Sequence, residues 1–252
     1  MDFETLLQPA TLALYASGIG ITLRLLAIAL LAGVVLSIPL AVARTASSHL
    51  LSMPVAAFTF VLRGTPLLVQ VYLIYYGVAQ LDWVQARWDA VWPWMWFKDP
   101  LFCTLVAFGL NTTAYTVELL AGAIRETPHG EVEAAQAFGM SRATLMTRIV
   151  LPSALRRALP GYGNEVILML HATSIASVVP GIVDITGAAN SVYATTYLPF
   201  EAYIAAAVIY LVFTFVLVLA LRWIESRALA HLRRSGGKTA LAPTAPDDAH
   251  PA

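Results

Sequence analysis

Charge is scarce in this 252-residue sequence, where Asp, Glu, Lys and Arg together make up 12%. A soluble domain typically carries about 25%, so much of the surface must face something other than water. The signs balance, with 15 basic and 15 acidic residues, which removes the electrostatic footprint of a nucleic-acid binder. Cysteine is down to one, Cys103, inside an apolar run. One thiol forms no internal disulfide and offers no cysteine spacing for a metal. The five histidines, His49, His129, His171, His231 and His250, are scattered without an HExxH pattern, so no metal centre is expected. No nucleophile–base pair can be assembled either, so bond chemistry is not expected of this chain. A basic start is also missing. Met1-Asp2-Phe3-Glu4 is acidic, whereas a cleavable signal peptide opens with positive charge, and the N-terminus is read as retained.

What is abundant is apolar sequence: 59% hydrophobic residues and a mean hydropathy of +0.72. A bilayer core about 30 Å thick takes roughly 20 apolar residues of helix. Five stretches meet or approach that length: Gly18–Ala43 with an amphipathic lead-in from Leu6, Val55–Ala79, Pro100–Ile124, Tyr162–Val179 and Ala202–Ile224. The fourth is short and polar for a span. Their length and lack of alternation exclude strands. The expectation is an all-α membrane protein of about five transmembrane helices over residues 1–234, followed by a Gly-, Ala- and Pro-rich tail, 235–252, without the bulk to order itself.

Basic residues set the orientation. Arg44 lies between helices one and two. Arg125, Arg142, Arg148, Arg156 and Arg157 lie between three and four, and Arg222, Arg227, Arg233, Arg234 and Lys238 follow helix five. The opposite side has only Arg87 and Lys98. The positive-inside rule then puts the C-terminus in the cytoplasm and the N-terminus outside. Outside, residues 81–99 hold Trp83, Trp88, Trp92, Trp94 and Trp96. Such rings favour the headgroup zone and read as an anchor or as a platform for an external partner. In the tail, Gly237-Lys238-Thr239 has the ending of a phosphate-binding loop, but the glycine that motif needs at position 232 is Leu, so no ATP site is expected there.

The connection over residues 125–160 reads as a short helix, a break and a second helix. Glu133 to Phe138 are mostly helix formers, Gly139 suits a C-terminal cap, Ser141 suits the next N-cap, and Pro152 and Pro160 punctuate the return to the membrane. A solvent-facing elbow of this kind gives a partner something rigid to push.

Glu133-Ala134-Ala135, three residues, Gly139, nine residues, Ile149, one residue and Leu151-Pro152 resembles, without gaps, the EAA signature of ABC importer permeases. Further blocks resemble the polar amino acid branch: Arg63-Gly64-Thr65-Pro66-Leu67 with Gln70, Asn111 to Glu118, Ala121 to Ile124, and Asn164 to His171. The last looks most like the M-type membrane subunits of histidine, lysine-arginine-ornithine and opine importers. Many branch members have Lys-Asp-Thr-Ser-Leu where this chain has His171-Ala172-Thr173-Ser174-Ile175, which changes the charge of the pathway. The resemblance covers about residues 15 to 232. It implies a coupling helix between helices three and four, gripped by separate ATP-binding cassette subunits that hold ATP and magnesium. It also implies a second, homologous membrane subunit, an external solute-binding protein, an amino acid or opine as solute, and alternating access in the bacterial inner membrane.

Charges inside a bilayer cost roughly 2.5–3.5 kcal/mol on insertion scales, so Arg24, Arg63, Glu118 and Glu165 need partners or water. Asn111, Tyr115, Glu118 and Gly122 share one face of helix three and read as a polar stripe toward the bundle interior. Glu165 is read near the cytoplasmic start of helix four, with Met169 and Ala172 on its face. Two readings stay open: the acids neutralise Arg63 and Arg24 as structural pairs, or one acid, Glu165 before Glu118, meets the cation of a solute. His171 joins the path as a residue able to titrate near neutral pH. An ion-gradient-driven secondary transporter is the rival reading; the internal repeats that would support it are not visible.

Overall fold

A computed structural model describes residues 4–89 and 91–228. Lys238, Arg233, Arg234 and the expected tail lie outside them, as do Met1, Asp2 and Phe3. The described residues are helical, with no strand among them. In chain order the helices are α1 Pro9–Arg44, α2 His49–Gly64, α3 Leu67–Tyr72, α4 Asp82–Gln85, α5 Pro100–Arg125, α6 His129–Ala137, α7 Arg142–Leu145, α8 Leu151–Ala172, α9 Ile185–Thr196 and α10 Pro199–Ala228.

Three of these, α1, α5 and α10, are long and apolar enough to cross a bilayer. The second expected span is not straight. α2 and the following Leu67–Gln80 form one apolar element bent by 106°. The bend falls at Thr65-Pro66, both in extended conformation. Proline has no amide hydrogen and crowds the residue before it out of the helical region, so Pro66 ends α2. The fifth long element, α8, has 22 residues but carries Arg156, Arg157, Asn164 and Glu165, and does not qualify by composition. It also begins earlier than expected. Pro152 and Pro160 do not punctuate a loop; both lie within α8. Pro152 sits in its first turn, where its missing donor costs nothing, directly after a wide π turn at Met146–Val150.

α5 is the central post. It packs against α1, α2, α3 and α8, and Cys103, Ala107, Phe108, Ala114 and Val117 are fully enclosed. Its tightest crossing is with α1. A Cβ on Gly33 would overlap Thr112 Cγ2, so only glycine admits that approach. Gly33→Val is expected to lower stability by about 2–3 kcal/mol, the usual cost of overpacking a closed contact, read as a fall in the detergent unfolding midpoint. α10 lies at the periphery, with Leu211, Val212, Phe215, Val216 and Leu219 exposed, as a lipid-facing helix requires.

Asp184 organises one end of the bundle. It is fully buried and caps α9, accepting from Gly187 N at 2.9 Å and Thr186 N at 3.2 Å, while Tyr210 of α10 donates to it at 3.1 Å. Its carbonyl would be 2.7 Å from a Cβ on Gly18, so α1 crosses here too. The tryptophan-rich segment forms an edge-to-face chain, Trp83 on Trp94 and Trp96 on Phe102, with Trp92 70% exposed, as rings at a membrane surface would be.

Candidate functional site

Two regions of the structure gather the polar residues. The first is the elbow at the far end of α5. α6 ends with the backbone amide of Met140 donating to Ala135 O at 3.1 Å and that of Gly139 to Gln136 O at 2.9 Å. This closure needs a left-handed residue, and Gly139 supplies it at φ 74°. Ser141 then caps α7, accepting from Thr144 N at 3.3 Å. The expected glycine stop and serine restart are therefore both present. Of the signature residues, Ala135 is buried while Glu133 and Ala134 face solvent, and Phe138 at the tip is 87% exposed.

The elbow is not a free loop. Ala135, Leu145, Val150, Ala154 and Ala158 form one apolar cluster with Leu120 and Ile124 of α5 and Ala41 of α1, with Ile149 packed against it. Leu151 and Pro152 are half-buried where α8 begins. Arg157 of α8 completes the joint. Its Nη2 donates to Ala123 O and to Thr127 Oγ1, each at 2.8 Å, and its Nη1 to Ser153 Oγ at 2.5 Å. A cation at the carbonyl end of α5 also suits that helix's dipole. Sequence reading used Arg157 only as an orientation marker.

The second region is a hollow of about 450 Å³ beside the α2–α3 bend. Arg63, Asn111, Tyr115, Glu165 and Met169 line it, with Leu168 between them, so most of the expected path residues come together. Glu165 does not lie near the start of its helix. It is 14 residues into α8, about 21 Å along the axis at 1.5 Å per residue. The polar stripe of α5 is divided: Asn111 and Tyr115 line this open hollow, while Glu118 turns to Arg44 and Thr59. Tyr115 remains 37% exposed.

Other expected placements change as well. Glu118 makes its direct ion pair with neither Arg63 nor Arg24: it accepts from Arg44 Nε at 2.8 Å and Thr59 Oγ1 at 2.7 Å, and the charge of Arg63 reaches it only at longer range. Arg44, read as a loop residue, is the last residue of α1 and reaches back along the bundle. Arg63 instead lies over the Tyr115 ring, 5.3 Å from its centroid, and Arg24 is exposed, with no ion pair among the described residues. His171 is not in the hollow; its Nε2 meets Thr214 Oγ1 of α10 at 3.0 Å, on the opposite flank of α8.

Gln70 is the residue whose role the sequence reading passed over. It is buried, and its Nε2 lies within 3.0 Å of Leu62 O, Thr65 O and Thr65 Oγ1. Its Oε1 accepts from Asn111 Nδ2 at 3.2 Å. Gln70 thus satisfies the carbonyls that Pro66 leaves without partners and ties the bend to α5. An amide in an otherwise apolar run, four residues after a proline, was the available signal.

These features have a match among known proteins. Residues 33–229 match the family described as "Binding-protein-dependent transport system inner membrane component". The chain belongs to this family. It is similar to the histidine/lysine/arginine/ornithine transport system permease protein HisM of Escherichia coli strain K12, 44% identical over 221 residues that cover 87% of this chain and 90% of the relative. The nopaline transport system permease protein NocM of Agrobacterium fabrum is 41% identical over 240 residues, 95% of this chain and 97% of the relative. Among solved structures, an amino acid ABC transporter with histidines superposes with a TM-score of 0.76 and 31% identity over 90% of this chain and 99% of that one. The inward-facing MetNI methionine ABC transporter shares the fold, with a TM-score of 0.71 and 16% identity over 88% of this chain and 99% of that one. This permease therefore has the type I importer architecture, and its elbow and its hollow are to be read as parts of a transport subunit.

Proposed function

We propose that the chain is one of two membrane subunits of an ATP-driven, binding-protein-dependent importer for amino acids of the cationic and polar class, such as histidine, lysine, arginine and ornithine, or for opines. The observation that carries the reading is the hollow itself: Arg63 and Glu165, of opposite sign, line one space with the amide of Asn111. An amino acid carries a carboxylate for the first and an ammonium or guanidinium for the second. The relatives named for histidine, lysine, arginine, ornithine and nopaline transport support the same class.

In this reading the hollow is open along one side because a homologous second membrane subunit closes it. The elbow from Glu133 to Pro152 is the docking lever for the ATP-binding cassette subunits, which hold ATP and magnesium. An external binding protein delivers the solute on the opposite side, next to the tryptophan-rich segment. The N-terminus faces outward and the C-terminus the cytoplasm of a bacterial inner membrane. Closure of the ATPases moves the elbow, and the cluster it shares with α1, α5 and α8 carries that motion to the helices lining the hollow.

The test is radiolabelled uptake by vesicles holding the whole transporter, competed by a panel of amino acids and opines. Glu165→Gln is expected to raise KM for a cationic amino acid about tenfold, the worth of one charge-assisted hydrogen bond, and to affect neutral solutes less. Unchanged cationic uptake together with unchanged stimulated ATPase would remove Glu165 from the path.

A further inference from the structure

α2 and, past the bend, α3 are joined to α5 by three successive cross-contacts. Thr59 Oγ1 donates to Glu118 at 2.7 Å, Arg63 lies over Tyr115 at 5.3 Å, and beyond the bend Gln70 accepts from Asn111 at 3.2 Å. The numbering rises on one helix as it falls on the other, so these are rungs between antiparallel partners. The outer two rungs are hydrogen-bonded and pinned further, Glu118 by Arg44 at 2.8 Å and Gln70 by the backbone of Leu62 at 2.7 Å. The middle rung has no hydrogen bond: Arg63 is held by the Tyr115 ring and by the charges of Glu118 and Glu165.

That middle rung stands where three hollows meet. The 450 Å³ hollow with Glu165 and Asn111 is bounded by Arg63 and Tyr115. A second, of about 310 Å³, has the same two residues together with Glu118, Gly161 and Glu165, so Glu165 stands in the wall between the two. A third, of about 460 Å³, runs from Arg63 past Glu118 and Ala57 to Arg44, toward the elbow end of the bundle. Arg63 borders all three.

We propose that the Arg63–Tyr115 stack is the internal gate of this path, separating the 450 Å³ hollow beside the bend from an inner chamber headed by Glu118 and Arg44. This rests on the reading that the hollow carries solute. A gate must open without dismantling the helix pair, and a ring contact between two pinned rungs meets that need. Arg63 closes the ladder to the next α5 turn without a hydrogen-bond geometry to break, and its long side chain swings while the backbone of α2 stays fixed by Thr59 and Gln70. The exposure of Tyr115, 37%, leaves its ring room to follow.

The gate is tested in the assembled transporter with the native thiol removed by Cys103→Ala and a reporter thiol introduced by Ala172→Cys, at a position lining the 450 Å³ hollow. A membrane-impermeant methanethiosulfonate is added on the elbow side of vesicles, and the labelling rate is followed without nucleotide. Tyr115→Leu and Arg63→Gln are each expected to speed labelling about tenfold, in line with loss of one cation–ring contact, while Tyr115→Phe, which keeps the ring, labels at the parent rate. Parent rates in both Tyr115→Leu and Arg63→Gln would overturn the gate, as would equal acceleration by Tyr115→Phe and Tyr115→Leu. The probe is not a solute. If uptake proves the solute class wrong, the labelling still decides whether the stack is a barrier.

Discussion

Coupled import is expected to fall about a hundredfold when Gly139 is replaced by arginine. Two costs add. At φ 74° an L-residue pays roughly 1–2 kcal/mol for its Cβ, which either strains the turn or unwinds the end of α6. The new side chain does not collide inside the chain, because nothing lies within 4 Å of the position where its Cβ would stand. It projects outward instead, beside Phe138, which is 87% exposed. An exposed aromatic at the tip of a rigid turn has the character of an interface anchor, worth about 2 kcal/mol or more when truncated. Phe138→Ala should therefore weaken association with the ATPase subunits about thirtyfold in a pull-down titration. Gly139→Ala carries the backbone cost without the outward charge and is expected to lie between parent and Gly139→Arg. Full import by Gly139→Arg, measured in vesicles with ATP inside, would mean that this turn is not the docking surface.

The sequence exposed this turn because its chemistry is local. Gly139 and Ser141 act on atoms within a few residues of themselves, so a glycine stop and a serine restart can be read from their order alone. The long apolar runs were visible for a similar reason, since each satisfies its own length requirement. What escaped were consequences of three-dimensional neighbours. Pro66 stood inside what reads as one continuous span, and the bend it makes is tied down by Gln70 and Asn111 meeting across two helices. Glu118 needed a cation, and the sequence pointed to Arg63 and Arg24 inside the spans; Arg44 folds back to it instead because α1 runs on to that residue. His171 shares a segment with Glu165, yet six residues along a helix place them on different flanks, and its partner Thr214 belongs to α10. Arg63, Asn111, Tyr115 and Glu165 were legible as candidates because a polar group in an apolar run is conspicuous, whereas their grouping around one hollow required the crossing of α2, α5 and α8.

Arg157→Ala is expected to destabilise the permease by about 3 kcal/mol and to uncouple it. The guanidinium holds Ala123 O, Thr127 Oγ1 and Ser153 Oγ at once, and hydrogen bonds to a charged group contribute roughly 1.5–3 kcal/mol each before compensation by water. Thr127 is itself buried, so its hydroxyl would keep only the bond to Ile124 O at 2.8 Å. The functional loss should exceed the loss of stability. Arg157 is the polar tie between α8 and the end of α5, the two helices that carry the elbow and also line the hollow. Without it the elbow can move while the hollow lags behind, and ATP hydrolysis should continue with little solute delivered. Arg157→Lys separates geometry from charge. An ammonium keeps the cation near the carbonyl end of α5 but cannot span acceptors on both helices with a planar fork. It is expected to recover most of the unfolding midpoint and only part of the import per ATP hydrolysed. If Arg157→Lys matches the parent in both measurements, the joint works by charge alone, and motion of the elbow reaches the hollow through the apolar cluster around Leu120 and Ala154 instead.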